Sequence, residues 1–177
     1  DLRKVLATLA KDLDDRAQHV ADAANSRSTI PPYNRRFVGR LEELTLLRER
    51  LHQGRTGVIS GHKGELQDDK SVIASVHGLG GIGKTELAFT YAHAFAGLYP
   101  GGRFLVPCDG RSDLRLAMLA LDEIFRAEIS DEQRKTLDLH FGAIRDCLRR
   151  RLQEMGRILL VLDNVTDAAL LSPEQTD

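Results

Sequence analysis

The run Gly78-Leu79-Gly80-Gly81-Ile82-Gly83-Lys84-Thr85 decides how the rest of the chain is read. It fits the spacing G-x-x-x-x-G-K-[ST] of a phosphate-binding loop. Glycines let the backbone curl so that successive N–H groups face one anion. A helix opening near Lys84 adds the positive end of its dipole. In such loops the lysine reaches the β- and γ-phosphates and the hydroxyl binds Mg²⁺. Gly78, Gly80, Gly81, Ile82, Gly83, Lys84, Thr85 and Glu86 are therefore candidate nucleotide contacts. The flanks agree: Ser71 to Val76 is β-branched and apolar, a buried strand leading in. Glu86 to Ala96 reads as a helix leading out, stopped by Gly97 and the turn Tyr99-Pro100-Gly101-Gly102.

A second signal is Ile158-Leu159-Leu160-Val161-Leu162-Asp163. Aliphatic residues ending in Asp place a carboxylate at the C-terminal edge of a buried parallel strand, where ligands sit in open α/β sheets. Together with the loop, Asp163 becomes the expected holder, directly or through a water, of the Mg²⁺ that Thr85 binds. Asn164 follows, where many ATPases of this topology carry an acid that orients the attacking water. An amide can hydrogen-bond water but cannot take its proton, so hydrolysis is expected to be slow. The general base could also lie elsewhere in a longer protein. Lys84, Asp163 and Asn164 are the candidate catalytic residues.

Outward from these motifs, strands alternate with helices. Leu41 to His52 is helical, with a stripe of Leu41, Leu44, Leu47 and Leu51. Thr56 to Ser60 suits a short strand, and Gly61 to Lys70 a polar surface loop. Arg103 to Pro107 reads as a strand and Asp113 to Arg126 as a helix. Ser130-Asp131-Glu132-Gln133 fits a capping box opening a long helix to about Met155. The fold class expected is α/β, a parallel sheet flanked by helices. Residues 1–24 read as a connecting helix carrying Leu2, Val5, Leu6, Leu9, Leu13 and Val20. Residues 25–36, with Pro31-Pro32, read as a linker, and 37–177 as the main domain. The chain opens on Asp1 and ends at Asp177 soon after an apolar run, and is expected to be a segment of a longer protein.

Composition narrows the functional classes. In 177 residues, 25 Lys and Arg face 26 Asp and Glu, a net charge of −1. That balance argues against a broadly basic nucleic-acid binder. The aliphatic run Ile158 to Leu162 falls far short of the ~20 residues needed to span a bilayer, so no membrane partner is expected. Two cysteines, Cys108 and Cys147, make no disulfide framework, and a reducing cytoplasm is the expected setting.

The phosphate loop with Glu86-Leu87-Ala88, followed by Leu159-Leu160-Val161-Leu162-Asp163-Asn164, resembles the NB-ARC type of STAND NTPase. These are nucleotide-switched signalling ATPases of immune receptors, apoptosome scaffolds and bacterial regulators. Phe37-Val38-Gly39-Arg40 with Leu41-Glu42-Glu43 resembles the segment that precedes the loop in that family. The resemblance implies Val38 packing on adenine and Arg40 touching the nucleotide. It implies ATP or ADP with Mg²⁺ as cofactors, and self-association of the full-length protein in the ATP state. It further implies an effector module upstream and sensor repeats downstream. It spans roughly Phe37 to Val165 and places a sensor strand between the loop strand and the Asp163 strand, so the sheet of this chain is expected to be incomplete. Two other classes fit the same module: the ATPase part of a DNA-binding transcription regulator, and a turnover ATPase or kinase. An intact Lys84, Thr85 and Asp163 argue against an inert scaffold.

Weaker candidates have simpler accounts. His77 reads as a packed neutral residue, Asp109-Gly110 as a turn, and Arg149-Arg150-Arg151 as a solvated face partly balanced by Glu154. Arg111 could act in trans within an oligomer.

Overall fold

A computed structural model of the chain describes residues 27–32, 34, 39–51, 56–60, 71–75, 83–167 and 170. The expected helix over 1–24, Val38, and Gly78 to Ile82 of the loop lie outside the described residues. In chain order the elements are α1 (Leu41–Leu51), β1 (Thr56–Ser60), β2 (Ser71–Ser75), α2 (Lys84–Ala94), β3 (Gly102–Pro107), α3 (Leu114–Met118), α4 (Leu137–Glu154) and β4 (Ile158–Asp163). Short 3₁₀ turns follow α2 at Ala96–Leu98 and α3 at Leu119–Leu121.

The four strands form one parallel sheet in the order β2-β1-β4-β3. The interval that was expected to stand open is filled. β1 lies between β2 and β4, with Ser60 in register with Ser75 on one side and Leu162 on the other.

Side chains alternate across β3 and β4, as strand geometry requires. Phe104, Val106, Ile158 and Leu162 face one core, with Leu114, Met118, Leu121, Phe125, Ile144 and Cys147 from the α3–α4 side. Leu159 and Val161 face the other, with Leu47 and Leu51 of α1 and Leu87, Ala88, Tyr91 and Ala92 of α2. The result is an α/β/α arrangement, the reason β4 reads as a continuous aliphatic run. No helix among the described residues is long and apolar enough to cross a membrane.

At the N-terminal edge of the sheet the turn before β3 presses on the turn before β4. The Gly101 amide donates to the Arg157 carbonyl at 2.9 Å. A Cβ at Gly101 would stand 2.5 Å from the Gly156 carbonyl oxygen, so only glycine fits.

Four sequence expectations need correction. Leu41 is 76% exposed, so the apolar stripe of α1 begins at Leu44. The helix from Asp113 keeps its α form only to Met118, although Asp113 caps it through the Arg115 amide at 2.9 Å. The long helix starts at Leu137 and not at Ser130. Ser130 and Gln133 do exchange the reciprocal bonds of a capping box, at 2.9 and 3.4 Å. The residues after them stay in turns because the Arg134 guanidinium holds the carbonyls of Ile129 and Arg126 and the Asp122 carboxylate. Thr136 becomes the cap, accepting from the Leu139 amide at 3.3 Å. The arginine run of α4 is also less solvated than expected. Arg151 lies 4.7 Å over the Phe125 ring, and both Arg150 and Arg151 reach Glu128.

Asp122 anchors this turn region, receiving Nε2 of His140 at 2.7 Å and Nε of Arg134 at 3.0 Å. Partial burial pushes its carboxyl up, but these two donors outweigh it and the net displacement is downward. A lowered carboxyl stabilises the fold above its unfolded value of about 4, and that contribution is lost as pH falls through the folded value. Asp122→Asn should therefore lower the melting temperature at pH 7, and the gap from the wild type should shrink below about pH 4. Thermal unfolding followed by circular dichroism across pH 3–7 checks this.

Candidate functional site

All four strands run the same way, so β2 and β4 end at the same edge of the sheet. The chain leaves that edge after Ser75 and is next described at Gly83, which has φ of 80° and caps α2. This left-handed conformation favours glycine. Without a side chain, Gly83 offers no cap to the first turn of the helix. The carbonyl of Gly83 accepts from the Leu87 amide at 2.9 Å, so the helix proper begins with Lys84 and Thr85.

The Thr85 hydroxyl donates to Oδ1 of Asp163 at 2.7 Å, across 78 residues of sequence. This bond ties the first turn of α2 to the end of β4. The Asp163 backbone is held as well: its carbonyl accepts from the Cys108 amide at 2.8 Å, just past β3. Cys108 was not singled out as a positioning residue by its sequence. Its only signal is adjacency to a strand end. Its buried thiol donates to the Val106 carbonyl. Burial pushes that thiol up to about 11, and the nearby Asp163 carboxylate adds to the effect.

A hydroxyl and a carboxylate are hard oxygen donors suited to a cation such as Mg²⁺, which is bound through few protein ligands and keeps several waters. Among the described residues no three His, Cys, Asp or Glu side chains gather into a metal-holding cluster.

The other candidates are placed as follows. Glu86 follows Thr85, and its carboxylate accepts from the backbone amide of Asn34. Arg40 stands just before α1 and pairs with Glu43 at 3.7 Å. Asp109 and Gly110 form a turn closed by the Arg111 amide on the Cys108 carbonyl at 3.0 Å, with φ of 62° at Gly110. Asn164 is exposed and has φ of 57°. That region is tolerated by asparagine far better than by other side chains. The amide at this position thus meets a backbone requirement immediately after Asp163, whatever it does for water.

Compared with known proteins, the chain matches no protein-family model and gives no significant match to a curated protein.

Two outcomes follow from the geometry. Asn164→Gly should leave thermal stability close to wild type, whereas Asn164→Ala should cost about 1 kcal/mol, read by denaturant unfolding. Cys108 and Cys147 are both buried, and burial raises both thiols. Neither should react with a thiol reagent at neutral pH until the chain unfolds, and native and denatured labelling followed by mass spectrometry measures this.

Proposed function

We propose that this chain carries the nucleotide-binding part of a STAND-type switch ATPase that takes ATP or ADP with Mg²⁺. The observation that supports this most is the 2.7 Å bond between Thr85 and Asp163. The two residues come from separate motifs, and the first turn of a helix meets the end of a parallel strand there. A glycine-rich strand-to-helix turn without a ligand has no need of that carboxylate.

In this reading Lys84 reaches the β- and γ-phosphates, and Thr85 and Asp163 hold the cation. When bound there, Mg²⁺ supplies positive charge against the phosphate oxygens. Gly83 and the first turn of α2 supply amide donors and the helix dipole. Asn164 can hydrogen-bond a water but cannot accept its proton, so hydrolysis is slow. Adenine as the base, with Val38 and Arg40 beside it, rests on the family resemblance. A slow site suits a protein whose output is a conformation: ADP and ATP bias two states through different contacts, with the ATP state self-associating.

Nucleotide content tests this directly. The purified protein, denatured, should release ADP in near-equal molar amount. Lys84→Ala should release at least tenfold less. Rapid ATP turnover without retained ADP would sink the switch and favour a working ATPase.

A further inference from the structure

We propose that Asp109, on the turn that follows β3, takes the proton from the water that attacks the γ-phosphate. The proposal rests on the nucleotide reading above and supplies the base that position 164 lacks.

The exit of β3 lies beside the site. β3 pairs with β4 in parallel, and its last residue, Pro107, is in register with Asp163. Neighbouring strands stand about 4.8 Å apart. The Cys108 amide bonds the Asp163 carbonyl, and the Cys108 thiol, raised chiefly by burial, also feels the Asp163 carboxylate. Asp163 is thus engaged from α2 through Thr85 and from the β3 exit through Cys108. Asp109 is the next residue, two past the register partner of Asp163.

The turn that carries Asp109 is fixed at both ends. Cys108 is fully buried, and its carbonyl accepts from the Arg111 amide. Gly110 supplies the left-handed residue between them. Asp113 then caps α3 and ends the segment. Asp109 therefore has a set place at the edge where Thr85 and Asp163 meet.

Asp109 is also an acid that the fold leaves uncommitted. Asp163 accepts from Thr85, and Glu86 accepts from the Asn34 amide. Asp113 holds the amide and the guanidinium of Arg115. Asp109 is exposed, and no described residue bonds its carboxylate.

The chemistry divides between two residues. Asn164, next to Asp163, can orient a water, and a carboxylate can take the proton that an amide cannot. As the water oxygen bonds the γ-phosphorus, the bond from that phosphorus to the β,γ-bridging oxygen breaks. ADP leaves with that electron pair, and the water proton passes to the Asp109 carboxylate and later to solvent. Phosphate and ADP are the products, with no change of oxidation state.

Asparagine suits a turn as well as aspartate does, so Asp109→Asn removes the base and keeps the turn. The purified chain and this variant are compared in single-turnover ATP hydrolysis, in calorimetry and in thermal unfolding. The variant should hydrolyse at least about tenfold more slowly, within the range of general-base effects. Its MgADP affinity should stay within twofold and its melting temperature should be unchanged. Its affinity for MgADP with aluminium fluoride, which mimics the phosphoryl group in transfer, should fall at least fivefold. Asp109→Glu should hydrolyse faster than Asp109→Asn. Wild-type hydrolysis in Asp109→Asn, or wild-type affinity for the fluoride complex, would overturn the base and leave the nucleotide reading standing. An equal loss of MgADP affinity, or a lowered melting temperature, would overturn it too, since Asp109 would then serve binding or the fold. So would an unmodified chain that binds MgATP without hydrolysing it. An unmodified chain that binds neither nucleotide would remove both proposals together.

Discussion

Burial of β4 on both faces is the constraint around which the molecule is arranged. Its backbone is paired on both sides, to β1 and to β3, and its side chains enter two separate cores. A strand so enclosed can carry a charged residue only where it leaves the sheet, and Asp163 stands there. The Thr85 hydroxyl and the Cys108 amide meet Asp163 at that exit. The position of Asp163 at that edge is thus a consequence of how the strand is packed.

The α1–α2 side of the sheet is less purely apolar than the other, and several of its polar groups bond across elements. Tyr91 and Tyr99 share a buried hydrogen bond of 2.9 Å, and burial keeps both phenols neutral by raising them. Arg157 stacks 5.6 Å over Tyr99 and reaches the Leu51 carbonyl at the end of α1. Fully buried Arg103 donates to the Ala92 carbonyl of α2 at 2.7 Å, and burial lowers its guanidinium. A buried charge is costly unless hydrogen-bonded. Here these bonds tie α1, α2 and β3 to one another.

Much of this was legible in the sequence, and for definite reasons. The strand at Ile158–Asp163 and the helix after Lys84 are local patterns, and each appears within a residue or two of where it was expected. Helix starts were less legible when a distant side chain intervened. Ser130 and Gln133 form their box, yet Arg134 reaching Asp122, 12 residues earlier, keeps the chain in turns. The position of β1 was hidden because strand order is a property of the whole sheet and not of five residues. The role of residues 27–30 was hidden likewise: a stretch that reads as linker gains an edge-strand partner only once β3 exists. Thr85 and Asp163 were each read as serving a cation, but the direct bond between them, across 78 residues, was not legible in either motif alone.

The contact between Gly101 and Gly156 bears on how variation in this chain should be interpreted. It lies at the edge of the sheet opposite Asp163, far from any candidate phosphate contact. In a set of folded variants position 101 would nonetheless tolerate little but glycine. An unvarying glycine there would report two turns packed backbone to backbone, and ranking positions by intolerance alone would mistake that packing for a functional centre.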